Sequence, residues 1–248
     1  MLDLSPTSLA IVLVVSWVAG MAKVAFGIGA GVFLTPILAL VLPPKVAVAL
    51  MAPMMVITDV AALRHHWGKW HTGHMLVLLP TAFVGVVLGT LFLAWAPTPF
   101  VRKAIGLIAF FFVAVQVHRR LSQAKRPAAP LPPWAGWIIG FLAGITTSIA
   151  HAGGVVMSIY LLGVGLTKEA FIASIVGTFS ITDLLKLSLY WQVGVLTLTI
   201  LLTGIALSPV MFLGGRMGMA LNRRLSVEQF TAAITVLVGI SGLVLLVT

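Results

Sequence analysis

Long stretches of this chain carry no Asp, Glu, Lys or Arg. Leu4–Ala22, Val24–Pro44, Val46–Thr58, His71–Val101, Ala104–His118, Pro127–Thr167, Ala170–Thr182, Leu187–Gly215 and Gln229–Thr248 all run without such a charge. Buried in hydrocarbon, a segment must satisfy its own backbone N–H and C=O groups, and an open sheet edge would leave them unpaired. The chain therefore reads as an all-α, polytopic membrane protein. Composition agrees: 60% of residues are hydrophobic and 8% are charged, whereas a soluble domain carries about 25% charged residues.

The formal charge of +10 invites a nucleic-acid reading, which its distribution excludes. The cations sit in short clusters between apolar runs, where cytoplasmic loops of a multispan protein carry them. No basic domain with interleaved aromatics exists. The first run, Leu4–Ala22, lacks a basic n-region and an A-x-A cleavage pattern, so it reads as a retained span. The absence of cysteine removes disulfides, thiolate metal sites and a Cys nucleophile.

The proline-rich linker Ser122–Pro133, with Lys125 and Arg126, divides the chain into residues 1–121 and 134–248. The two parts repeat one another. Ala19-Gly20 matches Ala143-Gly144, Gly29 matches Gly153, Ile57-Thr58-Asp59 matches Ile181-Thr182-Asp183, and Trp67 matches Trp191. Further on, Pro80-x4-Gly85-x3-Gly89 matches Pro209-x4-Gly214-x3-Gly218. Each half begins with an apolar stretch broken by glycine, at Gly27–Gly31 and at His151–Gly154. Unbroken, residues 7–42 would make a helix of about 54 Å at 1.5 Å per residue, far longer than a bilayer needs. Folded as a re-entrant hairpin, the stretch leaves about five membrane segments per half, and an odd number inverts the second half relative to the first. Charge favours this model. It places Arg64, Lys69, Arg119, Arg120, Lys125, Arg126, Lys168, Arg223 and Arg224 on one side, against Lys45, Arg102 and Lys103 on the other. That asymmetry obeys the positive-inside rule, with the linker cytoplasmic and both termini outside.

Several residues could carry chemistry. A half-helix starting at Gly29 or Gly153 would aim free N–H groups and a positive dipole end toward mid-membrane, which suits an anion. The alternative is that glycine only permits close helix packing, and this is the preferred reading for Gly85, Gly89, Gly214 and Gly218. Asp59 and Asp183 are two of five acids in the chain, and their placement inside spans demands a partner or a proton. They read either as coupling groups or as structural ion pairs with Lys23 or Lys186; Lys186 follows Asp183 by three residues, on the same helix face. His151 occupies the second break beside Thr146, Thr147 and Ser148. It reads as a protonatable anion ligand or as a neutral group bonded to a freed carbonyl. His65, His66, His71 and His74, with Trp67 and Trp70, read as an interfacial anchor, not as a zinc site. No metal or other cofactor is implied, and no hydrolase, zinc-protease, Walker or dinucleotide motif is present.

Ala19-Gly20 followed by Phe26-Gly27-Ile28-Gly29-Ala30-Gly31-Val32-Phe33-Leu34-Thr35-Pro36-Ile37-Leu38 resembles the first glycine motif of the TauE/SafE sulfite-exporter family. The tandem halves and the P-x4-G-x3-G element are similar too. The second half departs from the pattern, with His151 matching Gly27 and Tyr160 matching Pro36. The resemblance implies a transporter of sulfite, organosulfonates or related sulfur anions in the bacterial inner membrane. The anion would then lie between the hairpin tips, held by N–H groups near Gly27, Gly29, Gly31, Gly153 and Gly154, with Lys23, Ser148, His151 and Lys186 adding donors or charge. The halves would rock about this site, with a coupling proton and a second copy of the chain as further partners. A passive anion channel and a non-transporting assembly protein are the alternatives.

Overall fold

The computed structural model describes residues 5–26, 31–121, 131–221 and 227–247, and every element among them is helical. The first half holds α1 (Pro6–Phe26), α2 (Gly31–Val41), α3 (Pro44–His66), α4 (Thr72–Trp95) and α5 (Thr98–Leu121). The second holds α6 (Pro133–Ala150), α7 (Gly153–Gly163), α8 (Lys168–Gln192), α9 (Leu198–Ala206), α10 (Ser208–Leu221) and α11 (Val227–Val247). Among the described residues, five stretches are long and apolar enough to cross a membrane: Pro44–Arg64, Thr72–Trp95, Thr98–His118, Lys168–Gln192 and Leu198–Met217. The last is interrupted at Leu207, where α9 gives way to α10 and Pro209 enters without an N–H to donate. Pro80, at the matching position of the first half, lies inside an unbroken α4.

Polarity is arranged inside out relative to a water-soluble domain. Phe83, Leu88, Phe110, Phe111 and Leu142 face outward, while Ser16, Thr35, Thr147, Ser148, Asp183 and Lys186 are buried. Lipid outside and polar groups turned to the bundle interior account for that pattern.

Glycine sets the closest crossings. A methyl group at Gly85 would collide with the carbonyl oxygen of Phe141, and one at Gly144 with that of Ala82, so α4 and α6 meet backbone to backbone. A methyl at Gly214 would strike the carbonyl of Trp17, and one at Gly20 that of Met211, which fixes α1 on α10 in the same way. Close approach of this kind is the packing role expected of small residues between membrane helices. Elsewhere α3 packs on α8 and α5 on α11.

The second broken stretch folds back on itself. An added Cβ at Gly136 would lie 2.9 Å from the ring of Tyr160, and one at Gly153 would lie 2.7 Å from the carbonyl oxygen of Ala143. The two contacts keep a single antiparallel register, so α6 and α7 form a tight hairpin turning at His151-Ala152. In the first half α1 ends at Phe26 and α2 begins at Gly31. Residues 27–30 between them, including Gly27 and Gly29, lie outside the described residues.

Candidate functional site

The hairpin turn is built on a residue in an unusual conformation. His151 ends α6 in the left-handed region, with φ 52° and ψ 30°. An L-residue there costs about 1–2 kcal/mol relative to a helical one. The corresponding residue of the first half is Gly27, the type for which that conformation is free. The turn closes with the His151 N–H donating to Thr147 O (3.0 Å) and the Ala152 N–H to Thr146 O (3.2 Å). Two residues later α7 starts at Gly153.

The start of α2 is seated on this turn. Gly31 is buried, and a Cβ on it would collide with the Cβ of His151. One turn further along α2, Thr35 Oγ1 lies 3.4 Å from His151 Nδ1. The N-terminal ends of α2 and α7 therefore converge on one buried histidine. Each such end carries a partial positive charge of roughly half an elementary unit, with N–H groups that the helix itself cannot satisfy.

Beside the turn, α8 supplies a charged pair and a hydroxyl. Lys186 is fully buried, with Nζ 2.6 Å from Asp183 Oδ1 and 3.5 Å from both the carbonyl and the hydroxyl oxygen of Thr147. Tyr190, one turn on, is also fully buried and donates its hydroxyl to the carbonyl of Ser148. Asp59, the counterpart of Asp183, is buried on α3. The side chain of Lys23 lies outside the described residues.

Other sequence candidates fall into less open settings. The Ser148 hydroxyl donates to Val86 O of α4 at 3.1 Å, so it ties the hairpin to its neighbour. Gly153 is packed against Ala143, Thr147 and the ring of Phe179, and Gly154 against that same ring. Crowding by protein atoms is by itself enough to forbid a side chain at Gly153. Next to the turn, a cavity of about 210 Å³ is lined by Leu107, Phe111, Phe112, Thr146, Ala152 and Val155. Its lining is apolar apart from the Thr146 hydroxyl, which is engaged with Leu142 O. This void does not suit an anion.

One contact escaped the sequence altogether. His74 Nδ1 lies 3.1 Å from the hydroxyl of buried Tyr160, and His71 stacks near His74 at 4.5 Å between ring centres. The His71 N–H donates to Ser174 Oγ, and Lys69 pairs with Glu169 at 2.7 Å. The loop between α3 and α4 is thus docked on the second half, although Trp67 at its tip stands exposed against Trp70. The only hint in the sequence is Tyr160 itself, which replaces the proline matching Pro36. Among the described residues, no group of three or more His, Asp or Glu could hold a metal.

The family model described as sulfite exporter TauE/SafE matches residues 12–245 of the chain. No curated protein and no solved structure is similar to it at a significant level.

Proposed function

Because the chain belongs to the sulfite exporter TauE/SafE family, we propose that it is a secondary transporter exporting a small sulfur-containing anion, sulfite or an organosulfonate, by alternating access. Membership implies a multi-pass membrane exporter of sulfite-type anions. The observation that carries the finer reading is Gly31 packed on His151, since it brings two helix N-termini together. Their partial positive charges add against the C-terminal end of α6, whose Thr147 and Ser148 carbonyls Lys186 and Tyr190 already engage, while Asp183 and Lys186 neutralise one another beside them. An anion is the ligand such a field selects.

The anion would rest between the hairpin tips. N–H groups at the starts of α2 and α7 would hold it, with Gly27, Gly29 and Lys23 contributing from the first half and His151, Gly153 and Gly154 from the second. Inverted repeats are supported by α5 and α11, the last helix of each half, which lie antiparallel with Gly106 near Leu246 and Gly239 near Val113; equivalence of the halves is supported by reciprocal packing. Gly85 meets Phe141 as Gly214 meets Trp17, and Gly144 meets Ala82 as Gly20 meets Met211, which is what exchanging the halves would produce. Two equivalent halves around a central site are the arrangement that rocking requires.

The test is transport by the purified chain in proteoliposomes loaded with sulfite. Efflux that builds a concentration gradient and collapses with a protonophore supports the reading. Sulfite movement that only dissipates gradients makes the protein a channel, and none at all removes sulfite as substrate.

A further inference from the structure

The break between α6 and α7 leaves carbonyls that a continuous helix would have satisfied. In an unbroken helix Ser148 O would accept from the Ala152 N–H. That N–H turns instead to Thr146 O, and the Tyr190 hydroxyl of α8 takes its place at Ser148 O. Lys186, one turn earlier on α8, reaches Thr147 O and Oγ1 while Asp183 holds its ammonium at 2.6 Å. All three α8 side chains are buried. Cations and donors at a helix C-terminus also oppose its negative dipole end. The positions matching Lys186 and Tyr190 in the first half are Ala62 and His66, so α3 cannot offer the same pair of groups.

We infer that Lys186 and Tyr190 are positioning residues, which brace the second hairpin turn and act on the anion only through His151 and the start of α7. This assignment rests on the anion site proposed above, but it can fail separately. It differs from a role for Lys186 as a direct anion ligand. The ammonium is already committed to Asp183 and to α6, and the pair contributes no net charge.

The experiment compares Tyr190→Phe and the neutral replacement Asp183→Asn/Lys186→Met with the unmodified full-length chain. Neither substitution strands a buried charge. Hydrogen exchange is followed in detergent at the amides of His151, Ala152 and Val155, with amides of α4 as control. Sulfite efflux from proteoliposomes is followed in parallel. Bracing predicts about ten-fold faster exchange at the turn with α4 unchanged, and a KM about ten-fold higher with kcat retained in Tyr190→Phe. Unchanged exchange at the turn in both variants overturns the inference, as does a KM increase without any change in exchange, which is the mark of a direct ligand. Should Asp183→Asn/Lys186→Met fail to fold, Tyr190→Phe decides alone, since it removes one hydroxyl and no charge. If the unmodified chain moves no sulfite, the transport reading falls and the exchange measurement still judges the brace.

Discussion

The two breaks fall at matching points of the sequence but among different residues. In the second half the left-handed residue is His151, a lysine stands on the long helix α8, and Thr147 faces it from the hairpin. In the first half the matching residues are Gly27, Ala62 and Lys23, so the lysine stands on α1 and not on the long helix α3. Each half keeps one aspartate on its long helix, Asp59 on α3 and Asp183 on α8, whereas the lysine falls on α8 in the second half and on α1 in the first. Equivalent positions in the two halves should therefore not respond equally to substitution, even where the backbones correspond.

Topology should separate the halves most strongly. Thr98 opens α5 and Ser226 directly precedes α11, the last helix of each half. Inverted halves put these two loops on opposite faces, and parallel halves put them on the same face. A cysteine at Thr98 should label only from outside, and cysteines at Ser226 and Ser122 only from the cytoplasm. Labelling of positions 98 and 226 from one side would end the inverted model.

Charge comes next in size. Removing one member of a buried ion pair strands the other, at a cost of about 3–5 kcal/mol. Asp183→Asn or Lys186→Met alone should sharply lower the yield of monodisperse protein from size-exclusion chromatography, and Asp183→Asn/Lys186→Met should restore much of it. With Lys23 proposed as an anion ligand, Lys23→Met should cost much less and adding Asp59→Asn should rescue nothing; rescue there would make Lys23 an ion-pair partner instead. Rescue in one half only would show that the two aspartates do different work.

Reciprocal glycine crossings should give a smaller, matched effect. Gly85→Leu and Gly214→Leu each push a side chain into an opposing carbonyl, and overpacking costs roughly 1–3 kcal/mol. Thermal unfolding in detergent should show similar drops in the midpoint. A large drop in one with none in the other would mean that α1–α10 and α4–α6 are not energetic counterparts. Smallest is the backbone term at the turn: His151→Gly should be more stable than His151→Ala by about 1 kcal/mol, because glycine relieves the left-handed strain. Equal midpoints would deny that strain.

Much of this architecture was legible in the sequence because it follows from local chemistry. Charge-free runs had to be helices, and His151–Gly154 had to interrupt one. Lys186 had to lie near Asp183 through i, i+3 spacing. Gly85 and Gly214 read as packing residues and are found as such. Contacts that depend on tertiary placement were not legible. Nothing local to Tyr190 says that its hydroxyl replaces an amide at Ser148 O, and nothing at Gly31 says that it abuts His151. Ser148 looked like a free donor beside a break, yet its partner is Val86, 62 residues away. Gly153 looked bare for an anion, whereas Ala143, Thr147 and Phe179 already exclude a side chain there. The same P-x4-G-x3-G pattern leaves α4 continuous and α9–α10 divided, so proline alone does not determine a break.

The anion is proposed to bind where the starts of α2 and α7 meet at His151. Titration of the purified chain with sulfite, alongside His151→Ala and Lys23→Met, tests it most directly. Losing one charge-assisted hydrogen bond removes roughly 1.5–3 kcal/mol, so each variant should raise Kd by about ten-fold to a hundred-fold. Wild-type affinity in both folded variants would contradict the account and place the anion elsewhere in the bundle.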